Sequence, residues 1–586
     1  MEKNGYVTIF KTPKYRWLYK KADEKKIIDL KLLYPELPKS ILEVLINRGF
    51  TNKKEIDEFF EAPLSGMIDP FLLKDIHKAV KRVVHAIKNR EKICIYGDYD
   101  VDGITATSLM YEFLSSITPL VDYYIPNRIE EGYSLNIDAL NELKKKDVKV
   151  VITVDCGITS IDEIDYAKSI GLDTIVTDHH QLSDKLPSSA YAIINPLQPG
   201  DAYPFKHLSG VGVAFKFVLA LKYVIEKQFD IKLPPLKYFL DLVALGTIAD
   251  VVPMIGENRI FVKHGLKLLE NSPRPGIAEL KKISGLISTD LTSANIGYSL
   301  APRINAVGRL GKSETSVKLL ITKNQNEAKW FAEELETENR YRQELEKAVL
   351  KETIEKIERK KLNERYKSII MYSKNWHPGV IGIIASRLVE RYSKPAIVLS
   401  IDNDLAKGSA RSIPNIDIFS FLKTIPDLLI EFGGHKYAAG LKLYTKNIRH
   451  LQRKLDDYIE KNSPNESLIP EIVIDAFLNP EDINEDLVKY INKLRPFGNT
   501  NSEPVFCMQK VKKAQEFSIM GKEKNIIKGF IGKNDSFFEV VGFNMGEYRD
   551  LIRSCDTFDI VFTIDINNWM GGSNIQLKLK DIKKSY

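Results

Sequence analysis

From residue 69 to about 200 the apolar positions switch back and forth between two spacings. Ile76, Val80, Val83, Val84 and Ile87 recur as on one face of a helix, and residues 93–96 are then apolar or aromatic without a break. The alternation continues with a helix after Gly103, an apolar run over 120–125, a helix near 136–145, a run over 150–154, a helix near 161–170, and runs at 174–177 and 191–194. Short apolar runs separated by amphipathic helices predict a mainly parallel sheet covered on both faces. Helical patterns dominate residues 211–320, although the apolar stretch 242–248 ends in Asp250 and reads as another strand end.

Between Lys312 and His377 there is no Gly or Pro, and residues 324–361 are rich in Glu, Lys, Leu and Ala, which predicts one long helix. Its apolar positions, Phe331, Leu335, Leu345, Val349 and Ile357, are too sparse for a coiled coil and suit a helix joining two domains. Strands at 368–371 and 396–400 around a helix near 382–390 predict a second α/β unit. Beyond Pro464 the pattern turns strand-rich, with runs at 471–475, 505–508, 537–543, 559–564 and 575–579 that fit a barrel and a sandwich equally well. The expected division is a leader at 1–65 with helical stretches at 41–47 and 55–60, then units at 66–322, 323–365 (the linker helix), 366–457 and 458–586.

Composition narrows the classes. At 586 residues the chain exceeds one ordinary domain. Its 85 basic and 78 acidic side chains leave a net charge of +7, which permits a polyanionic partner without demanding one. No run of 18 apolar residues exists and residues 1–6 lack an apolar signal stretch, so a cytoplasmic protein with no membrane partner is expected. The four cysteines, Cys94, Cys156, Cys507 and Cys555, form no CxxC pair, which argues against a disulfide framework or a zinc site. Cys94 and Cys156 read as small buried hydrophobes.

The chemistry lies at the ends of the apolar runs: Asp98-Tyr-Asp100-Val-Asp102-Gly103, then Asp155-Cys-Gly157, Asp178-His179-His180 and Asp250. One Asp cluster is usually turn chemistry, but four segments bringing acids and imidazoles to one edge are not. Carboxylate and imidazole at the carboxyl ends of parallel strands suit Mn²⁺ or Mg²⁺ and predict a metallophosphoesterase. Asp102 is expected to cap the helix starting near Ile104, and Asp178 to orient a ligating His.

In order and spacing these motifs resemble the DHH phosphoesterase superfamily, and within it the RecJ-type single-strand-specific exonucleases. Further matching strings are Leu208-Ser-Gly-Val-Gly-Val-Ala-Phe-Lys216, Gly246-Thr-Ile-Ala-Asp-Val-Val-Pro253, Ala301-Pro-Arg-Ile-Asn-Ala-Val-Gly-Arg309, Gly433-Gly-His-Lys-Tyr-Ala-Ala-Gly440 and Leu494-Arg-Pro-Phe-Gly498, so the likeness runs from about residue 69 onward. It implies an α/β multidomain fold: a parallel-sheet DHH domain, the linker helix, a smaller α/β DHHA1 substrate domain and a C-terminal OB-like barrel. It implies a 5′ to 3′ exonuclease on single-stranded DNA acting in recombination and repair, with a single-strand-binding protein and a helicase as further partners. Asp100, Asp155, His179 and Asp250 would hold the better-occupied Mn²⁺ or Mg²⁺, Asp98 and the bridging Asp155 a second ion, and His180 would face the scissile phosphate. Many superfamily members carry a His where this chain has Cys94, so the second ion should bind weakly.

For the nucleic acid, Arg303, Asn305 and Arg309 are candidate phosphate contacts with interdomain salt bridging as the other reading, and Arg128 is a further candidate. In the DHHA1-like strings, Ser409, Arg411 and His435 are expected to grip a terminal phosphate. Two rival functions are a phosphodiesterase of short or cyclic oligonucleotides and a non-catalytic replication scaffold. The C-terminal barrel speaks against the first, and the full ligand set against the second.

Overall fold

In the computed structural model, which describes residues 6–12, 14–128, 131–132, 134–287, 290–309, 312–462, 469–521, 524–533, 536–567 and 574–585, five parallel strands lie in the order Val121–Tyr124, Lys92–Gly97, Val148–Val154, Asp173–Thr177, Ala192–Ile194. Successive side chains face opposite sides, and both sides are covered. Ile93, Ile95, Val150 and Ile152 pack on the helices Val101–Ser115 and Gly210–Phe229, while Cys94, Tyr96 and Val151 pack on Ile137–Lys145 and Ile161–Ser169. Because the three central strands run the same way side by side, their carboxyl ends bring Asp98, Asp155 and Asp178 to one edge.

The fourth segment is not a strand. Leu240–Ala249 is a helix with Asp250 as its C-cap, and every residue from Leu240 to Ile248 is buried. A helix enclosed on all sides shows no polar stripe, so over this length it reads like a buried strand.

The helix Gln325–Arg359 spans 35 residues, about 52 Å at 1.5 Å per residue. Asn324 caps it by accepting from the backbone N–H groups of Asn326 and Glu327. Ala332 and Leu335 belong to the core of the parallel-sheet domain, and Val349 and Ile357 to the core of the next one. That next domain has a five-stranded sheet in the order Glu431–His435, Ala438–Tyr444, Leu405–Arg411, Ala396–Asp402, Ile369–Ser373, parallel only at the last pair. Three of these strands carry Gly and Ala in place of β-branched residues, which hides them in the sequence. Their register sets Arg411 and His435 on either side of Ala438.

Toward the C-terminus Phe506–Lys513, Thr557–Asn567, Asn574–Lys584, Ser536–Phe543 and Ile526–Lys533 pair in turn, and Lys512 and Lys513 pair with Gly532 and Ile531 to close the ring. The result is a five-stranded barrel. The strand expected at 471–475 is not part of it: Glu471–Ile474 lies parallel to Arg16–Tyr19, and Ile526–Lys533 completes the barrel instead. The helices Glu24–Leu33, Lys39–Asn47 and Lys53–Glu61 share one core with the barrel through Leu30, Ile41, Leu45, Phe506 and Phe562. Arg259 fastens this composite unit to the parallel-sheet domain. Its buried guanidinium donates to the carbonyls of Phe59 (2.8 Å), Lys493 (3.1 Å), Leu494 (2.9 Å), Arg495 (2.8 Å) and Pro496 (3.4 Å) and lies 3.8 Å over the Phe59 ring. Among the described residues no helix is long and apolar enough to cross a membrane.

Candidate metal centre

Each carboxylate of the cluster is placed by a local backbone device. Asp100 is the N-cap of Val101–Ser115, and its Oδ1 accepts from the N–H groups of Asp102 (2.9 Å) and Gly103 (3.1 Å). Any side chain at Gly103 would bring a Cβ within 2.6 Å of the Asp98 carbonyl oxygen, so this turn admits only glycine. Asp102 does not cap its own helix, as the sequence suggested. It points across to the start of Gly210–Phe229 and accepts from Gly210 N–H (2.6 Å) and Val211 N–H (2.9 Å). Asp155 adopts a left-handed conformation (φ 61°) just past its strand, and a Cβ at Gly210 would collide with its carboxylate. The small-residue string Ser209-Gly210-Val211-Gly212 is the one sequence signal for this close approach. Asp178 accepts from the N–H groups of Ile158 (3.0 Å), His179 (2.7 Å) and His180 (3.0 Å) and from His180 Nδ1 (2.8 Å), so it holds the second histidine of the pair.

His179 Nε2 lies 3.1 Å from Asp155 Oδ1, 3.5 Å from Asp250 Oδ2 and 3.9 Å from Asp102 Oδ2. Three overlapping sets of ligand atoms each lie within 4.8 Å of one another: Asp98, Asp100 and Asp155; Asp155, His179 and His180; Asp102, His179 and Asp250. Asp98 Oδ1, Asp155 Oδ1 and His179 Nε2 are buried and make no hydrogen bond despite this crowding. Atoms that converge without bonding one another, in an all-oxygen and imidazole set, fit a divalent cation.

The electrostatics agree. Burial first, and then the neighbouring carboxylates, raise Asp98, Asp155 and Asp250 well above the usual carboxylate range, and Asp102 up to about 7. Burial and then the His180 charge push His179 down to about 4, which leaves a neutral imidazole able to ligate. Burial opposes a charge on His180, but Asp178, then Asp250 and Asp98, outweigh it and lift the ring to about 9.

The other expected residues divide. Arg128 lies 4.8 Å from the Tyr99 ring centroid, and burial first, then the charge of Arg128, lower the pKa of Arg411. Arg411 Nη1 donates to Ser409 Oγ (2.9 Å) and the Ala410 carbonyl (2.8 Å), and a Cβ at Gly382 would lie 3.1 Å from Ser409 Oγ. His435 is near enough to the cluster to act on the His179 ring. Arg303, expected at phosphate, instead pairs with Glu336 of the long helix at 2.7 Å and donates to the Ser299 carbonyl, the salt-bridging alternative. Asn305 accepts from Val101 N–H at 3.1 Å and so braces the Asp100 turn. The Arg309 side chain lies outside the described residues.

A parallel sheet with this cluster at its carboxyl edge, tied by one helix to a second sheet that overhangs it, defines a DHH phosphoesterase. The model of the DHH family N-terminal domain matches residues 92–247, that of the DHHA1 domain 365–461, and that of the RecJ OB domain 474–581. The single-stranded-DNA-specific exonuclease RecJ of Bacillus subtilis (strain 168) is 37% identical over 570 residues, 97% of this chain and 71% of that protein. The crystal structure of RecJ in complex with Mn²⁺ from Thermus thermophilus superposes with a TM-score of 0.83 at 26% identity, covering 98% of this chain and 80% of that one. The corresponding Mg²⁺ complex gives a TM-score of 0.76 at 26% identity, covering 98% and 79%. The chain belongs to the RecJ family.

Proposed function

We propose that this chain is a single-strand-specific DNA exonuclease that hydrolyses phosphodiester bonds with Mn²⁺ or Mg²⁺ and works from the 5′ end. The observation that carries the reading is the set of buried, unbonded donor atoms of Asp98, Asp155 and His179 at the sheet edge. Its support from outside is the substrate named for the B. subtilis relative and the ions named for the T. thermophilus structures. Asp100, Asp155, His179 and Asp250 would hold the better-occupied ion, and Asp98 and Asp155 would serve a second, weaker one. A divalent ion here offsets the charge on the non-bridging phosphate oxygens and lowers the pKa of the attacking water. His180, kept protonated at neutral pH by Asp178, donates to the scissile phosphate.

Polarity comes from the overhanging domain. Among the described residues Arg411 Nη1 donates to a hydroxyl and a carbonyl, and the like charge of Arg128 acts on it. Two guanidinium groups that act on each other suit a terminal phosphate, with Ser409 and His435 as further donors. A cavity of about 1320 Å³, whose walls include Tyr298, Arg342, Arg387, Arg495 and Lys578, lies between the two domains, the long helix and the barrel unit. Its cations are paired with Glu346 and Asp565 of the same walls, and what it presents to a strand running from the barrel to the cluster is the Tyr298 ring, 87% exposed and suited to base stacking. An enzyme restricted to single strands needs a helicase to supply them, and such strands carry single-strand-binding protein. Both are the partners of this reading, in the cytoplasm and in recombination and repair.

The test is digestion of 5′- and 3′-labelled single strands and duplexes with Mn²⁺ and with chelator. Release of the 5′ label first, from single strands only and only with metal, is expected, and Arg411→Ala should erase the preference for a 5′-phosphate over a 5′-hydroxyl at fixed salt. Digestion from the 3′ end, or an unchanged phosphate preference in the variant, would defeat the assignment.

A further inference from the structure

Asp250 is the member of the cluster whose segment follows a helix and not a sheet strand. It ends the helix Leu240–Ala249, and the next residue, Val251, has φ 59°. A β-branched residue in the left-handed region is a backbone outlier, which persists only where the surroundings enforce it. Packing does not enforce it here, since Val251 is 64% exposed. Locally Val251 N–H donates to the Ile248 carbonyl (3.2 Å), as at a left-handed helix end, and a distant part of the chain adds two bonds that lock the turn: Asn499 Nδ2 donates to the Val251 carbonyl (3.0 Å), and the Asn499 carbonyl accepts from Met254 N–H (2.8 Å).

Asn499 is itself rigidly placed. Gly498 and Asn501 exchange backbone hydrogen bonds (2.9 and 3.2 Å), and Asn501 Nδ2 donates to the Leu494 (2.9 Å) and Pro496 (2.8 Å) carbonyls. Arg259 grips the same carbonyls from the other side, and Gly498 lies so close to Met254 that an added Cβ would come within 3.2 Å of it. The neck of the barrel unit is thus a fixed bracket on the loop that leaves Asp250.

We infer that Asn499 is a positioning residue for the reaction: by clamping Val251 in its left-handed conformation it fixes where the Asp250 carboxylate meets His179. The inference rests on Asp250 being a metal ligand. It makes the barrel unit part of the metal site's support as well as a handle for nucleic acid.

The test compares Asn499→Ala and the isosteric Asn499→Asp with the parent, in full-length protein, by Mn²⁺ titration followed through the EPR signal of the free ion. Turnover on single strands at saturating Mn²⁺ is measured alongside. Each variant should bind Mn²⁺ about tenfold more weakly, as for loss of a group that orients a ligand, or turn over about tenfold more slowly with little change in KM. Adding Val251→Gly should restore most of the loss, because glycine takes the left-handed conformation unaided. A purely structural docking role would not be rescued in this way. Mn²⁺ affinity and turnover within twofold of the parent in both variants would overturn the inference, as would loss that Val251→Gly does not repair, including loss of folding. Because Mn²⁺ binding is read without DNA, a parent that binds the ion but cuts no single strand would defeat the proposed function alone.

Discussion

Lowering the pH from about 8 to about 6 should weaken Mn²⁺ binding about tenfold, because protons compete with the ion for the cluster. The carboxylates are buried together, and in the metal-free protein Asp102 is raised from 3.8 to about 7, with Asp98, Asp155 and Asp250 also well above their ordinary range. Below about 7 the set therefore retains at least one proton that must leave when the ion binds. For one such proton the apparent affinity is lowered roughly elevenfold one pH unit below that value and hardly at all one unit above it, a difference of ~1.4 kcal/mol. His179, pushed down to about 4, is already neutral in this window, and His180, at about 9, keeps its proton, so neither ring adds to the slope. The sign for folding is the reverse: raised carboxylates stabilise the metal-free fold below their unfolded pKa, and that contribution is lost as pH rises from 3.8 through about 7, where bound ion should restore it. Mn²⁺ titrations at constant ionic strength, with calorimetry in two buffers of different ionisation enthalpy to count the released proton, measure the effect. An affinity that changes less than about twofold over this range, or that falls as pH rises, would refute the reasoning.

Asp155→Ala should abolish turnover and weaken Mn²⁺ binding by about a hundredfold or more, because its carboxylate takes part in two of the three ligand sets; calorimetry on the variant, shown folded by circular dichroism, checks this. Asp178→Asn should slow turnover about 10–100-fold and move the high-pH limb of the rate profile down from about 9 towards neutrality, since His180 loses the anion that keeps it protonated. Arg259→Met should cost about 3–5 kcal/mol of stability by taking the guanidinium from the carbonyls of Phe59, Lys493 and Arg495, while those of Leu494 and Pro496 keep the Asn501 amide; urea unfolding measures it, and a loss under about 1 kcal/mol would count against the clamp.

The parts of this protein legible from sequence are those where local pattern and tertiary role coincide. Asp98, Asp155 and Asp178 follow short buried strands, so periodicity alone puts them at one edge, and the long helix shows itself by its want of Gly and Pro. The helix before Asp250 passes for a strand because burial on every side erases the 3.6-residue stripe. The strands bearing Ser409, Arg411 and His435 escape notice because their glycines and small residues remove the β signature. Arg303 reads as a phosphate ligand because its partner, Glu336, lies 33 positions away on another helix. The roles of Arg259 and Asn499 have no sequence signal, since what they bind is main chain, which looks the same at every residue.

The parallel pairing of Arg16–Tyr19 with Glu471–Ile474 joins segments 455 residues apart. At a synthesis rate of roughly 5–20 residues per second, the early segment waits on the order of 20–90 s for its partner, long after the parallel-sheet domain between them is complete. During that interval Leu30, Ile41 and Leu45 have no barrel core to enter. A chain that stops short of residue 471 is therefore a parallel-sheet domain trailing an apolar segment whose core partner was never made.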